Sequence, residues 1–144
     1  MNSNVVLADF QFLGSRVAGM RLETRRINAR GQAELFIDFD YKIGEIEEEN
    51  NCFRGSLTFL VQAKAKVKNR ILYKIDLEIE GTFAGSIEKL SQEKFIQMLE
   101  MNGLITLLHI SRAYLISVTA QSGIQPPLRI PMVNVLKMRE NKNK

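Results

Sequence analysis

The 144-residue chain holds one histidine, one cysteine and three prolines. Catalysis needs side chains that move protons, attack or hold a metal, and His109 and Cys52 alone make neither a close Cys-His pair nor a zinc cluster. His109 falls in a long apolar segment, where a partly buried packing role is expected. Cys52 stands between a turn and an incoming strand, as an inert small residue would. A lone cysteine forms no internal disulfide, in keeping with a reducing compartment. The glycines follow no phosphate-loop spacing. The chain is therefore expected to be no enzyme and to carry no cofactor and no metal. It shows no unbroken run of about 18 apolar residues, so membrane insertion is not expected. Its start, "MNSNVVLADF", has no basic segment followed by an apolar one, and the expected location is cytoplasmic.

Charge of one sign is also in short supply. Twenty Lys and Arg stand against 16 Asp and Glu, a formal +4. The basic residues sit in three separate places, Arg21 to Arg30, Lys64 to Arg70 and Lys137 to Lys144, with the acidic stretch Glu45 to Glu49 between them. This spread argues against nucleic acid, which rewards clustered cations. A basic nucleic-acid-binding module is kept as the lower alternative.

What is abundant is period-two alternation, the mark of strands with one buried face. In "ELFIDFDYKI" the apolar set is Leu35, Ile37, Phe39, Tyr41 and Ile43. In "LTFLVQAKAKV" it is Leu57, Phe59, Val61, Ala63, Ala65 and Val67, and in "ILYKIDLEIEGTF" it is Ile71, Tyr73, Ile75, Leu77, Ile79 and Phe83. Lys68-Asn69-Arg70 joins the last two as a hairpin. A fourth strand is expected within Val5 to Leu13, where Val6, Ala8, Phe10 and Phe12 alternate, with "MRLETRRI" from Met20 extending or flanking it. After Gly85 the period lengthens. Ser91 caps a helix expected to run to Met101, Asn102-Gly103 stops it, and a second helix runs from Leu104 to Gln121, ending at Gly123. The fold class is α+β, a four-stranded antiparallel sheet with helices packed on one face. Residues 1–136 form one domain, and 137–144 are a basic, disordered tail.

The second helix is apolar on most sides. Leu104, Leu107, Leu108, Leu115 and Val118 suffice to cover a sheet, yet Ile105, Ile110, Ala113, Ile116 and Ala120 lie outside that stripe. Either another copy of the chain covers them, making Ile105, Arg112 and Ile116 an oligomer interface, or the chain's own C-terminal arm does. That arm contains all three prolines. Pro126-Pro127 forbids renewed helix and interior strand pairing alike, leaving Leu128, Ile130, Met132 and Val133 extended. They lie in a groove of their own fold or form part of a groove for something else.

From Ser111 to Val135, "SRAYLISVTAQSGIQPPLRIPMVNV" resembles the signature of SecB, the bacterial preprotein-export chaperone family. Its marks are an Arg-containing helix, here Arg112, ending at a glycine, Gly123. A Pro-containing loop follows, with Pro126 and Pro127, and then a Pro-(Val/Ile)-Asn pattern matched by Pro131, Val133 and Asn134. "IEGTFAG" and "ADFQFLG" are similar to the family's last and first strands. The resemblance implies a holdase that binds unfolded or non-native polypeptides without nucleotide and passes preproteins to the Sec translocase, built as a dimer or a dimer of dimers. It places client contacts at Met20, Leu22, Ile124, Leu128, Ile130 and Met132, and contacts to the translocase motor at Asp9 and Asp76. Leu13 and Lys74 depart from the family's motor-binding pattern, as does the basic net charge. A dedicated SecB-like chaperone of an antitoxin or another single partner is the alternative.

Overall fold

The computed structural model describes residues 1–2, 8–26 and 31–144. The chain order is β1 (Phe10–Thr24), β2 (Glu34–Ile43), β3 (Glu47–Glu49), β4 (Cys52–Val67), β5 (Arg70–Ser86), α1 (Gln92–Gln121) and α2 (Val135–Lys142). The sheet is antiparallel in the order β1-β5-β4-β2, with β3 also paired to β4. It thus has five strands, not four. The acidic stretch is the fifth: Glu47 faces Arg54 across β3 and β4, a strand too short for alternation to reveal.

β2 has the expected bounds, and the hairpin turn is Lys68-Asn69, both residues at positive φ (52° and 65°) as a tight two-residue turn demands. β1 is longer than expected. The register slips between Phe12 and Gly14 and between Val17 and Gly19, so the extra residues break the apolar period while the pairing continues to Thr24. Val5 and Val6 lie outside the described residues.

Helix α1 is one piece of 30 residues, about 45 Å, not two. Asn102-Gly103 does not stop it, because Gly103 serves close packing instead: a Cβ there would stand 2.9 Å from Leu57 Cδ2. The ends match expectation. The Ser91 hydroxyl accepts the Lys94 N–H (3.1 Å), and Gly123 leaves the helix at φ +80°, a region that suits glycine. In length and mean hydropathy (1.3) this helix would by itself suffice to cross a membrane, which the search for an unbroken apolar run misses. Here it lies on the sheet, burying Phe95, Leu99, Leu104, Leu107, Leu108 and Leu115 against Leu57, Phe59, Ile79 and Phe83. Phe95 also stacks on Phe53 (5.5 Å between centroids) and tilts against Phe10 (5.6 Å).

The tail is not disordered. Val135–Lys142 is a helix capped by Asn134, whose side chain accepts the Lys137 N–H (3.1 Å). Arg139 and Lys142 stand in its last turn, where cations favour the helix dipole. Both also pair with acidic residues of the body, Arg139 with Glu100 and Lys142 with Asp40. Composition suggested a frayed end, but the cap and these two pairs fasten it.

Candidate functional site

Pro126-Pro127 and Pro131 deny the segment between α1 and α2 regular backbone pairing, so its polar groups need other partners. Helix α1 supplies them. The Thr119 hydroxyl donates to the Leu115 carbonyl (2.6 Å) and accepts the Leu128 N–H (2.8 Å). Arg112 donates from Nε to the Ile130 carbonyl (2.8 Å) and from Nη2 to the Pro131 carbonyl (3.0 Å). The contacts move back along α1 as the chain advances, so the arm runs antiparallel to the helix. Leu128 and Ile130 are driven into the core, and Ile124 joins them.

Beyond Ile130 the arm rises out of the core. Met132 is 94% exposed. Together Pro131, Met132, Val133 and Met138 face Ile37 and Phe39 of β2 across an open groove of about 570 Å³. Its floor is partly buried apolar side chain, with Ile37, Phe39, Val133 and Met138 all packed against the core. Asp38, Asp40, Lys137 and Lys142 add charge at its margins. One side of the groove follows β2, an edge strand whose outer hydrogen-bonding groups have no strand partner among the described residues. Leu35 and Phe36 on that strand are 46% and 44% exposed.

A polar cluster closes the end of the groove. The Tyr41 hydroxyl donates to Glu100 (3.0 Å), which also accepts from Arg139. Burial, and then the hydrogen bond to Glu100, push the Tyr41 hydroxyl up to about 12. Asp40 is held below its ordinary value, first by its hydrogen bond from Lys142. These contacts anchor α2 over β2 and so set the width of the groove.

The structure divides the sequence-predicted residues. Of the expected client contacts, Ile124, Leu128 and Ile130 are buried at 8%, 2% and 1% and offer nothing to a client in this conformation. Met20 and Leu22 are half-buried on β1, opposite Leu77 and Ile75, with β5 and β4 between them and β2. Only Met132 lies in the groove. Arg112, expected at an oligomer interface, clamps the chain's own arm. Ile105 is 41% exposed and Ile116 half-buried, so α1 does leave apolar surface open. Asp9 and Asp76 are both exposed but are not brought together. The Asp9 carbonyl accepts the Ser86 N–H (3.1 Å), and ten residues of β5 from there to Asp76 span roughly 33 Å.

His109 is exposed rather than half-buried and its Nδ1 lies 3.3 Å from Arg112. Cys52 is free. Among the described residues no group of three or more His, Cys, Asp or Glu is placed to hold a metal. Sequence reasoning named Val133 in the arm but missed Ile37, Phe39 and Met138 as groove residues. Ile37 and Phe39 were read as core by their alternation. Met138 lay in a presumed tail, and the one signal that could have found it was Asn134 as a cap followed by late Arg and Lys.

No protein-family model matches the chain, and no curated protein matches it. Among solved structures, it is similar to the SecB-like chaperone of Mycobacterium tuberculosis, solved in complex with a ChAD peptide from the HigA1 antitoxin. The TM-score is 0.67 at 14% identity, over 88% of this chain and 91% of that one. It is also similar to a protein of unknown function from Streptococcus agalactiae, with a TM-score of 0.51 at 13% identity, over 85% of this chain and 97% of that one. The fold is SecB-like, in agreement with the resemblance between Ser111 and Val135.

Proposed function

We propose that this chain is a SecB-like chaperone, a holdase that binds extended apolar segments of non-native polypeptides without nucleotide or covalent chemistry. The observation that carries this reading is the open apolar groove between Met132, Val133 and Met138 on one side and Ile37 and Phe39 of the edge strand on the other. An extended segment fits such a place in two ways: its backbone adds to the free edge of β2, and alternate side chains enter the groove. Met in two of the lining positions suits many sequences, because its flexible thioether adapts its shape.

Surplus surface supports self-association as part of the same reading. The chain exposes 9577 Å² at 16.4 kDa, against about 7,500 Å² for a compact monomer of that mass. Ile105, on α1, is among its exposed large apolar residues. A homo-oligomer, dimer or dimer of dimers, built on α1 and working in the cytoplasm completes the proposal.

Which clients are served is a finer matter. Delivery of preproteins to the Sec translocase calls for an acidic contact surface, but Asp76 lies in register with Arg21, shares a surface recess with Lys74, and stands far from Asp9. The antitoxin peptide carried by the mycobacterial neighbour favours a dedicated partner of that kind over general export.

Light scattering of a denatured, aggregating client tests the proposal. The chain at equal concentration is expected to suppress aggregation, and Met132→Asp to lose most of that effect while melting as the parent does. Full aggregation in the presence of the parent protein would sink the holdase reading.

A further inference from the structure

The three basic segments that are separate in sequence are not separate in space. β1 ends beside the start of β5, with Thr24 opposite Tyr73 and the Arg25 N–H donated to the Leu72 carbonyl (2.9 Å). Arg21, Arg25 and Arg26 therefore come to the same end of the sheet as the β4–β5 hairpin, which brings Lys64, Lys66, Lys68, Arg70 and Lys74. The acidic residues in that part of the sheet are Glu23, Glu34, Asp38 and Asp76. Eight basic residues face four acidic ones there, an excess of four that equals the whole chain's +4. The third basic segment contributes little free charge, since Arg139 and Lys142 are paired with Glu100 and Asp40.

The outer face at this end, turned away from α1, breaks two local rules. One row across the sheet reads Glu23, Lys74, Lys64, Phe36 by register. Lys64 and Lys74 stand directly opposite each other, where like charges destabilise a sheet. The carboxylate across from Lys74 does not relieve them, because Glu23 is held by Arg21 (2.7 Å). Among the described residues Lys64, Lys66 and Lys74 form no ion pair. The second departure is Phe36, an aromatic ring 44% exposed on the polar face, with the ammonium groups of Lys64 and Lys66 each 5.7 Å from its centroid. The cation–π contacts partly offset the exposure of Phe36, but no ion pair among the described residues offsets the facing Lys64 and Lys74, and a violation of local consistency of that kind points to an external contact.

We infer that this end of the outer sheet face is a binding surface for single-stranded nucleic acid, with Phe36 as a stacking platform and Lys64, Lys66 and Lys74 as phosphate contacts. A row of cations beside an exposed ring on a sheet is what an unpaired strand uses, because each nucleotide offers both a phosphate and a flat base face. An acidic peptide would use the lysines and leave the ring idle, and a duplex keeps its bases stacked away from it. The surface and the groove meet at Asp38 on the edge strand, but the inference does not rest on the chaperone reading.

Fluorescence anisotropy with a labelled oligouridylate of about a dozen nucleotides tests it, using the full chain. Binding is expected to weaken roughly 20-fold between about 50 and 200 mM salt, as release of counterions from about three phosphates requires. Phe36→Ala is expected to weaken it about tenfold. Lys64→Glu is expected to abolish it while raising the melting temperature, since it turns a like-charge pair into an opposite one. That opposite movement of binding and stability separates a loss of contact from a loss of fold. No binding at low salt, binding untouched by both substitutions, or equal affinity for polyglutamate or for a duplex of the same length would each overturn the inference.

Discussion

Arg112 donates from its Nε to the carbonyl of Ile130 at 2.8 Å, eighteen residues further along the chain. With the second bond to Pro131, one guanidinium satisfies two carbonyls that the prolines around them keep out of any sheet. Arg112→Met keeps much of the aliphatic packing and removes both donors. It is expected to cost about 2–3 kcal/mol, read as a lowered midpoint in denaturant, with protease sensitivity appearing first between Gln125 and Pro131. A midpoint equal to the parent's would show that the arm does not need the clamp.

The cluster at the groove's end predicts a response at both extremes of pH. Tyr41 has its hydroxyl raised from 10.0 to about 12, so its contribution to stability is complete below about 10 and is lost as pH rises through 12. Asp40 is lowered from 3.8, so its contribution is present above that value and fades as pH falls through the lower folded one. Burial also pushes the Tyr73 hydroxyl up, so phenolate absorbance should show late titration from both residues, with the step near pH 12 removed by Tyr41→Phe. Should the late titration be the same size in that variant, the assignment to Tyr41 is wrong.

Gly103 sets two effects against each other. Alanine gains up to about 1 kcal/mol in a helix interior, yet its Cβ would meet Leu57 Cδ2 at 2.9 Å, and overpacking costs about 1–3 kcal/mol. The contact is with a buried core side chain at 0% exposure, which has little room to yield. Gly103→Ala is expected to be destabilising by about 1 kcal/mol in thermal melts, and a stabilised variant would mean that Leu57 repacks.

Ile105 is the sharper probe of self-association, since it is 41% exposed and its replacement leaves the chain's own core alone. Ile105→Asp is expected to dissociate an oligomer built on α1, because an unpaired charge at an interface is strongly unfavourable. Sedimentation would show a fall in mass at unchanged secondary structure. A constant mass would move the interface elsewhere.

Much of this was open to reading before any coordinates. Alternation located β2, β4 and β5 because each has one dry and one wet face, and Ser91 and Gly123 marked the two ends of α1 because caps are local chemistry. β1 was half-legible: its bulges at Leu13 and Ala18 shift the period without ending the strand. The candidate site was harder. Ile37 and Phe39 carry the same alternation whether a face is covered or open, so no pattern distinguishes a groove wall from a core layer. The arm's apolar residues were visible, but Leu128 and Ile130 turn inward and Met132 outward for reasons that sit on another element, at Thr119 and Arg112.

The chain's own order of residues decides where backbone may be strand, helix or neither, since period, caps and proline act over a few neighbours. Only the folded arrangement decides what those pieces meet. It carried Gly103 past its role as a stop because Leu57 lies beneath it, made a helix of a polar tail because Glu100 and Asp40 await its cations, and gathered two distant basic segments at one end of a sheet. Contacts between residues far apart in sequence depend on register and layer, which no local pattern encodes.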